Sequence, residues 1–415
     1  MNLSRENDGK IEFLAEKMVF GGKCMGKSGN KNVFVPFAIP GERLEIEIVR
    51  RFSDYDEGKI VRVLESSPKR ILPACPLYMK CGGCDYMHID YEFQSELKAQ
   101  VLKELFLRAG LEVPEIQKVQ GPYLAYRSRF QLHDGGMEGR GSNEIVPIAA
   151  CPVAVPEINE WLSQCPMEER PKGKGLLFGH KNALPKLSFA LEEKKPQNPA
   201  PKKPAFKGKK KGKKLPPSRF EGIRQDELCP VQAEICGKKI VFDAKGFFQS
   251  NLALLEKTVP LIAQGLAGKN ALDLYSGAGT FSVFLADSFE RVAMVEQNRL
   301  SMVCAERNMA GKAHESFGIS GADFAKRNAQ ALCQRIGPFD AAVVDPPRSG
   351  VEREALEWLS KSGIPVIKYL SCNPSTQVRD LKKLKEKGYK IEKICLLDFY
   401  PQTSHMETLA TCVLE

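Results

Sequence analysis

The 415-residue sequence lacks features that define several common classes of protein. No run of 18 apolar residues occurs, so the sequence predicts no membrane-spanning helix. The first residues are polar and do not form the apolar core of a secretory signal peptide. Without such a signal, the 13 cysteines argue against a disulfide scaffold. We therefore expect a cytoplasmic, monomeric protein of two or three globular domains that does not bind membranes.

Acidic residues are absent from one stretch, residues 194–219, which contains ten Lys and one Arg. This stretch carries a charge of +11 and the whole chain +10, so the remainder carries −1. Its Lys, Pro and Gly residues bury too little surface to offset chain entropy, which predicts disorder. It is either a solvated linker or a tail that binds nucleic-acid phosphates.

Short strand-like runs separated by Gly and Pro turns fill residues 11–65, which predicts a small, OB-like β-barrel. Such barrels either bind RNA or only pack against neighbouring domains. Residues 91–110 have helical periodicity and end at Gly110. Residues 120–192 are rich in predicted strands. We expect these to form a β-rich central domain.

Strand-like and helix-like runs alternate from Lys238 onwards, which predicts an α/β domain with a mostly parallel, Rossmann-like sheet. The predicted strands are 270–275, 291–296, 339–345 and 364–371. The predicted helices are 280–288, 298–310, 323–335 and 374–387.

A glycine-containing loop at 273–281 follows the first of these strands and opens a helix. Ser282 stands where a dinucleotide-binding loop has its third glycine, which favours S-adenosylmethionine over NAD. Glu296 ends the next strand and is suited to a ribose diol. Asp323 either accepts from an adenine amino group or caps a helix.

An acid and a thiol each follow a buried strand, in Asp345-Pro346-Pro347-Arg348 and in Ser371-Cys372-Asn373-Pro374. A second acid, Glu407, lies near the C-terminus. Ligands of open α/β sheets bind at the carboxyl ends of the strands. Cys372 is therefore a candidate nucleophile and Glu407 a candidate base, although a lone Cys after a strand usually belongs to the core.

Cys75, Cys81 and Cys84 lie in a loop rich in Gly and Pro, with Cys151 far downstream. Zinc ribbons use two Cys-x2-Cys pairs, and this chain has one. A [4Fe–4S] cluster tolerates the uneven spacing. The spacing favours the cluster, with zinc and unligated thiols as alternatives.

Together these motifs resemble the RNA uracil-C5 methyltransferases, and most closely the branch that modifies 23S ribosomal RNA with a TRAM domain and an iron–sulfur cluster. The resemblance covers nearly the whole chain. It rests on the glycine loop, the cysteine spacing, both strand-end motifs, Gly-Gly-Lys-Cys-Met-Gly at 21–26, Tyr126-Arg127-Ser128-Arg129 and Phe248-Gln249-Ser250-Asn251.

The resemblance implies a role for each candidate residue. Cys372 is the nucleophile that adds to uracil C6, and Glu407 is the base that removes the C5 proton. Four cysteines bind the cluster: Cys75, Cys81, Cys84 and Cys151. Six residues bind S-adenosylmethionine: Gln249, Tyr275, Thr280, Glu296, Asp323 and Asp345. Thr280 departs from the family, which often has Asn there.

The resemblance also implies three domains. These are a TRAM barrel (1–66), a central iron–sulfur and RNA-binding domain (67–90 and 111–240) and a Rossmann-like methyltransferase domain (91–110 and 241–415). The final strand is expected to be antiparallel. The Lys-rich insert 194–219 falls outside the family pattern.

Two further expectations concern the reaction. The thiol of Cys372 must ionise near neutral pH, so we expect the pocket to lower its pKa, with Arg348 as a candidate cation. Tyr126, Phe247 and Phe248 are candidates for stacking on bases of the RNA. Alternative functions are an amino-N methyltransferase of the Asp-Pro-Pro type and a non-enzymatic iron–sulfur RNA-binding protein.

Overall fold

The computed structural model describes residues 10–192 and 228–415. The Lys-rich insert, for which the sequence predicts disorder, lies outside these described ranges. Within them, no helix is both long enough and apolar enough to cross a membrane.

The N-terminal strands form a closed barrel with the order β1-β5-β6-β4-β3-β2. Two adjacent residues close it: the Ala15 N–H donates to the Glu42 carbonyl (2.9 Å), and the Glu16 N–H donates to the Met25 carbonyl (2.9 Å) on a strand near the other end of this order. Alternate side chains such as Val33 and Val35 fill the interior, as the period of a strand requires. The strands are β1 (Lys10–Leu14), β2 (Lys17–Met18), β3 (Lys23–Ser28), β4 (Lys31–Pro36), β5 (Arg43–Arg51) and β6 (Tyr55–Glu65).

Helix α1 (Tyr91–Arg108) follows the cysteine loop, and strand β7 (Ile116–Val119) comes next. Asp90 caps the helix by accepting from the Phe93 N–H (3.3 Å), and Gly110 adopts the left-handed conformation at its end. Leu97, Val101 and Phe106 of α1 join the core beneath the large C-terminal sheet. The helix therefore packs on the C-terminal layer.

Short strands and one helix make up the central region. Strands β13, β11 and β8 form an antiparallel sheet that packs on helix α2, and β12, β14 and β15 form another. The elements are β8 (Arg129–His133), β9 (Met137–Glu138), β10 (Ile145–Val146), α2 (Pro156–Gln164), a 3-10 turn (Met167–Glu169), β11 (Lys174–Gly179), β12 (Ala183–Leu184), β13 (Leu187–Leu191), β14 (Pro230–Ile235) and β15 (Lys238–Asp243).

The C-terminal layer is an eight-stranded sheet with helices on both faces, which confirms the predicted fold class. Its elements are α3 (Leu252–Ala263), β16 (Gly268–Leu274), α4 (Thr280–Leu285), β17 (Phe289–Val295), α5 (Arg299–Asn308), β18 (His314–Phe317), α6 (Gly321–Arg327), α7 (Ala329–Ile336), β19 (Ala341–Val344), α8 (Arg353–Leu359), β20 (Val366–Ser371), α9 (Pro374–Lys385), β21 (Tyr389–Leu397) and β22 (Glu407–Leu414).

The strand order of this sheet is β18-β17-β16-β19-β20-β22-β21-β7. Strands β16 to β20 pair in parallel, and their side chains are buried on both faces because helices cover the sheet. Strand β22 is antiparallel to both of its neighbours, as the family resemblance implies.

Three details of this layer differ from the sequence prediction. The predicted helix 323–335 is two helices, α6 and α7, which meet at Asn328. Helices α3 and α8 and strands β18 and β21 were not predicted. Strand β7, which our division places in the central domain, pairs in parallel with β21 and so extends the C-terminal sheet.

Candidate active site

A cavity of about 480 Å³ lies at the carboxyl ends of β16, β17, β19 and β20. Its lining brings together seven of the eight residues predicted for catalysis and for binding S-adenosylmethionine. These seven are Gln249, Tyr275, Thr280, Glu296, Asp345, Cys372 and Glu407. The sequence prediction therefore describes a single site that several strand ends share.

The glycine loop shapes one wall of this cavity. Gly277 and Gly279 have positive φ values of 55° and 74°, which glycine adopts without strain. The Gly277 N–H donates to Glu296 Oε2 (3.1 Å), which ties the loop to the end of β17. Ser282 donates to the fully buried Asp273 (2.5 Å). Ser282, which stands in place of the third glycine, thus ties the start of α4 to the end of β16 beneath the loop.

Buried polar atoms in this wall are left for a ligand. Among the described residues, Gln249 Oε1 and Ser276 Oγ are buried without a hydrogen-bond partner. Both residues line the cavity. Burying a polar atom without a partner costs about 1–3 kcal/mol, so these two atoms suit a polar ligand. Together with the glycine loop and Glu296, they fit S-adenosylmethionine.

The strand directions explain why the acid, the thiol and the base meet. Strands β19 and β20 run in parallel and end at Val344 and Ser371, so the residues that follow them, Asp345 and Cys372, lie at the same end of the sheet. Strand β22 is antiparallel to β20, and Ser371 pairs with Thr408. The first residue of β22, Glu407, therefore lies where β20 ends.

Burial and mutual repulsion dominate the electrostatics of these groups. Burial, and then the charges of Asp273 and Glu296, raises the pKa of Asp345 to about 8. Burial and the charge of Asp345 raise the pKa of Glu407 well above its usual range, against the opposing effect of Arg348. Both carboxyl groups consequently hold protons more tightly than exposed acids.

The prediction that the pocket lowers the pKa of Cys372 is wrong for the protein without ligands. Burial, then the charges of Glu407 and Asp345, raises the pKa of this thiol to about 11. Arg348 lowers it, as expected, but does not outweigh the other effects. The sequence could not reveal this because the carboxylates reach the thiol only through the fold.

The eighth predicted residue, Asp323, does not line this cavity. Ser320 caps helix α6 by accepting from the Asp323 N–H (3.1 Å), so Asp323 lies inside the helix. Its carboxylate pairs with Arg327 (3.1 Å). Asp323 therefore does not cap the helix, and its carboxylate contacts Arg327 outside the lining of this cavity.

The aromatic candidates separate clearly. Phe247 and Phe248 both line the cavity, but only Phe247 is exposed, with 66% of its surface accessible, whereas Phe248 and Tyr126 are buried. Tyr400 and His405 also line the cavity. Tyr400 was not predicted as a site residue from the sequence, and it belongs to the segment Asp398-Phe399-Tyr400-Pro401 that leads to Glu407.

The four predicted cluster ligands meet around a second, smaller cavity of about 30 Å³. Cys75, Cys81, Cys84 and Cys151 line it together with apolar side chains. Burial and then the other three thiol groups raise the pKa of Cys84 to about 12, and Arg127 acts in the opposite direction. Within the described ranges, no group of three or more His, Cys, Asp or Glu side chains is arranged to hold a metal ion.

Comparison with known proteins identifies the family. A model of the tRNA (uracil-5-)-methyltransferase family matches residues 224–413. An RNA methyltransferase of Treponema denticola is 34% identical over 95% of this chain and 96% of its own. The 23S rRNA (uracil(1939)-C(5))-methyltransferase RlmD of Shewanella amazonensis is 30% identical over 99% of this chain and 97% of its own.

The chain belongs to the RNA uracil-C5 methyltransferase family. This confirms the family and the enzyme class predicted from the sequence. A solved structure has the same fold over the same length. It is the tRNA (uracil-54, C5)-methyltransferase of Pyrococcus abyssi with S-adenosyl-L-homocysteine, which aligns with a TM-score of 0.69 and 24% identity. The alignment covers 97% of this chain and all of that chain.

Proposed function

We propose that this member of the family methylates C5 of a uridine in 23S ribosomal RNA through a covalent bond between Cys372 and the base. The observation that carries the proposal is the convergence of Asp345, Cys372 and Glu407 in one cavity with the glycine loop. The ribosomal substrate is supported by full-length similarity to relatives named for 23S rRNA.

One wall of the cavity would hold the methyl donor. When bound, S-adenosylmethionine supplies a methyl group carried on a positively charged sulfonium. Glu296 would accept from ribose hydroxyls with the lone pairs that its backbone donors leave free. The remaining residues of the proposed set are Gln249, Tyr275, Thr280 and Asp345. This set leaves out Asp323.

Cys372 would begin the chemistry on the base. Its thiolate forms a bond to C6, and the electrons of the C5–C6 double bond make C5 a nucleophile that can accept the methyl group. The raised pKa of the thiol means that the thiolate needs help to form. Arg348 provides part of it, and a proton held on Asp345 removes part of the repulsion that opposes ionisation.

Glu407 would end the chemistry. After methylation, C5 carries both a methyl group and its original proton. Glu407 takes this proton, the C–H electrons restore the C5–C6 double bond, and the C6–S bond breaks to return the thiolate to Cys372. A carboxylate with a raised pKa is a stronger base than an exposed one, which suits this step.

The RNA would reach the cavity with its target base turned out of the helix. Phe247 is exposed at the cavity and offers a surface for stacking on a base. We propose that the barrel is the TRAM domain and that the central region contacts RNA. Strand β7 and helix α1 would then belong with the catalytic layer.

We further propose that the four cysteines hold a [4Fe–4S] cluster. The support is that all four line one apolar cavity. The uneven spacing Cys75-x5-Cys81-x2-Cys84 favours the cluster over zinc, because zinc ribbons use two Cys-x2-Cys pairs.

Two assays test the proposed function. RNA labelled with [5-³H]uridine should release tritium only with the enzyme and S-adenosylmethionine, because the C5 proton is lost. An amino-N methyltransferase would release none. Mapping 5-methyluridine in cells with and without the protein would then locate the site. Loss from transfer RNA instead of 23S rRNA would overturn the substrate assignment.

A further inference from the structure

The segment 398–406 connects β21 to β22 and leads directly to Glu407. Contacts from distant parts of the chain fix its backbone. Tyr126 donates to the Pro401 carbonyl (2.9 Å), and Lys98 donates to the Tyr400 carbonyl (3.0 Å). Gln94 exchanges two hydrogen bonds with Gln402, each of 3.0 Å. Residues outside the catalytic sheet therefore hold the segment that leads to Glu407.

Asp85 makes the contact nearest to Glu407 among these. Its Oδ2 accepts from both the N–H (3.1 Å) and the hydroxyl (2.9 Å) of Ser404. Its own N–H donates to the Gln402 carbonyl (3.0 Å). Asp85 thus makes three hydrogen bonds to the segment, at residues that precede Glu407 by three and five positions. Asp85 directly follows Cys84, so the cysteine loop supplies this anchor.

Arg140 in turn fixes the Asp85 side chain. Its Nη1 lies 2.8 Å from Asp85 Oδ1, and its Nη2 donates to the Cys84 carbonyl. The backbone N–H of Arg140 donates to Lys80 (2.9 Å), and its guanidinium lies 4.9 Å from the centre of the Phe37 ring. Because both carboxylate oxygens of Asp85 are engaged, its orientation towards Ser404 is defined.

The N-terminal barrel packs against Ser404 as well. A Cβ atom on Gly22 would lie 2.5 Å from Ser404 Cβ, so the turn of the barrel packs directly on the segment. Ser404 is therefore held between the barrel and Asp85. Little room remains for the segment to shift while Asp85 is in place.

We propose that Asp85, oriented by Arg140, is a positioning residue that sets the geometry of Glu407 for proton removal from C5. The inference rests on the proposed function, because it assigns Asp85 to one of the two steps. Cys372 follows β20 and does not depend on segment 398–406 for its backbone position. Loss of Asp85 should therefore spare formation of the covalent bond and slow its resolution.

The test uses the full-length protein, S-adenosylmethionine and a uridine-containing 23S rRNA fragment. The Asp85→Ala variant should accumulate a covalent protein–RNA complex on ordinary uridine, visible on a denaturing gel, which wild type resolves. Tritium release should fall about tenfold to a hundredfold, since small errors in position are costly for catalysis. The Arg140→Gln variant should show the same signature more weakly.

Two further variants control for general destabilisation. Asp85→Asn keeps an oxygen that accepts from Ser404, so it should restore most of the tritium release. Asp340 accepts from two backbone N–H groups (2.7 and 3.0 Å) at the amino ends of β16 and β19, whereas the cavity lies at the carboxyl ends. The Asp340→Ala variant loses a comparable number of hydrogen bonds and should accumulate no complex.

The inference is overturned if Asp85→Ala releases tritium at the wild-type rate. It is also overturned if formation of the covalent bond and tritium release fall together without accumulation, because that marks a purely structural role. Failure of the proposed function looks different. In that case wild type itself would form no covalent complex with 5-fluorouridine RNA.

Discussion

Lys98 of helix α1 and Asp398 at the end of β21 form a buried ion pair with an Nζ–Oδ1 distance of 2.7 Å. Both side chains are 1% exposed, although 300 residues separate them in the sequence. The pair joins the N-terminal half of the chain to the start of the segment that leads to Glu407.

Breaking this pair should destabilise the protein. Removing one partner leaves a buried charge uncompensated, which typically costs about 3–5 kcal/mol. We therefore expect Lys98→Met to lower the melting temperature by several degrees, measured by calorimetry. Lys103 on the same helix is exposed, so Lys103→Met is the matched control and should have little effect. Equal melting temperatures for both variants would contradict the structure here.

The reactivity of Cys372 should depend on pH in a defined direction. Because its pKa is raised to about 11, the thiol is protonated at neutral pH and its thiolate fraction grows as pH increases. Alkylation by iodoacetamide, followed on the Cys372 peptide by mass spectrometry, should accelerate up to at least pH 10 without reaching a plateau. Glu407→Gln removes a charge that raises this pKa, so it should shift the profile to lower pH. A plateau near pH 8 in wild type would contradict the assignment.

Substitutions of Glu296 and of Asp323 should have different effects on the affinity for the cofactor. Glu296 lines the cavity, and losing a charged hydrogen-bond acceptor costs about 1.5–3 kcal/mol. Glu296→Ala should therefore weaken binding of S-adenosylhomocysteine by roughly 10-fold to 150-fold, measured by calorimetric titration. Asp323→Ala should change the affinity little, because Asp323 pairs with Arg327 outside the cavity lining. The reverse result would require Asp323 to reach the ligand.

The cysteine cavity makes a spectroscopic prediction. Protein purified without oxygen should be brown and absorb near 400 nm, and Cys81→Ser should lose this absorbance. Cys165 is partly buried in the same region but does not line the cavity, so Cys165→Ser should keep it. Stoichiometric zinc in the anaerobic protein would contradict the proposed cluster.

The sequence predicted the parts of the fold that local patterns encode. Buried strands and amphipathic helices have distinct periodicities, so the alternation in the C-terminal half was readable. Residues such as Asp345 and Cys372 follow such strands directly, and the rule for open α/β sheets then places them at one edge. Short helices such as α8 carry too few turns to show a period.

Contacts between distant segments were beyond the sequence. Nothing near Ile116 indicates that it pairs with Ile394 at the edge of the sheet. The roles of Asp85 and Lys98 depend on which loops the fold brings together. The pKa of Cys372 could not be predicted for the same reason, since Glu407 and Asp345, whose charges raise it, come from other strands.

The most direct measurement of the central claim uses RNA that contains 5-fluorouridine. Fluorine at C5 cannot be removed as a proton is, so the bond between Cys372 and C6 should remain after methylation. With S-adenosylmethionine, wild type should form a covalent complex that survives a denaturing gel, and peptide mapping should place the RNA on Cys372. Cys372→Ala should form none, whereas the matched variant Cys395→Ala, which changes a buried cysteine on β21, should still form it. Absence of the complex with wild type, or its persistence in Cys372→Ala, would contradict the account.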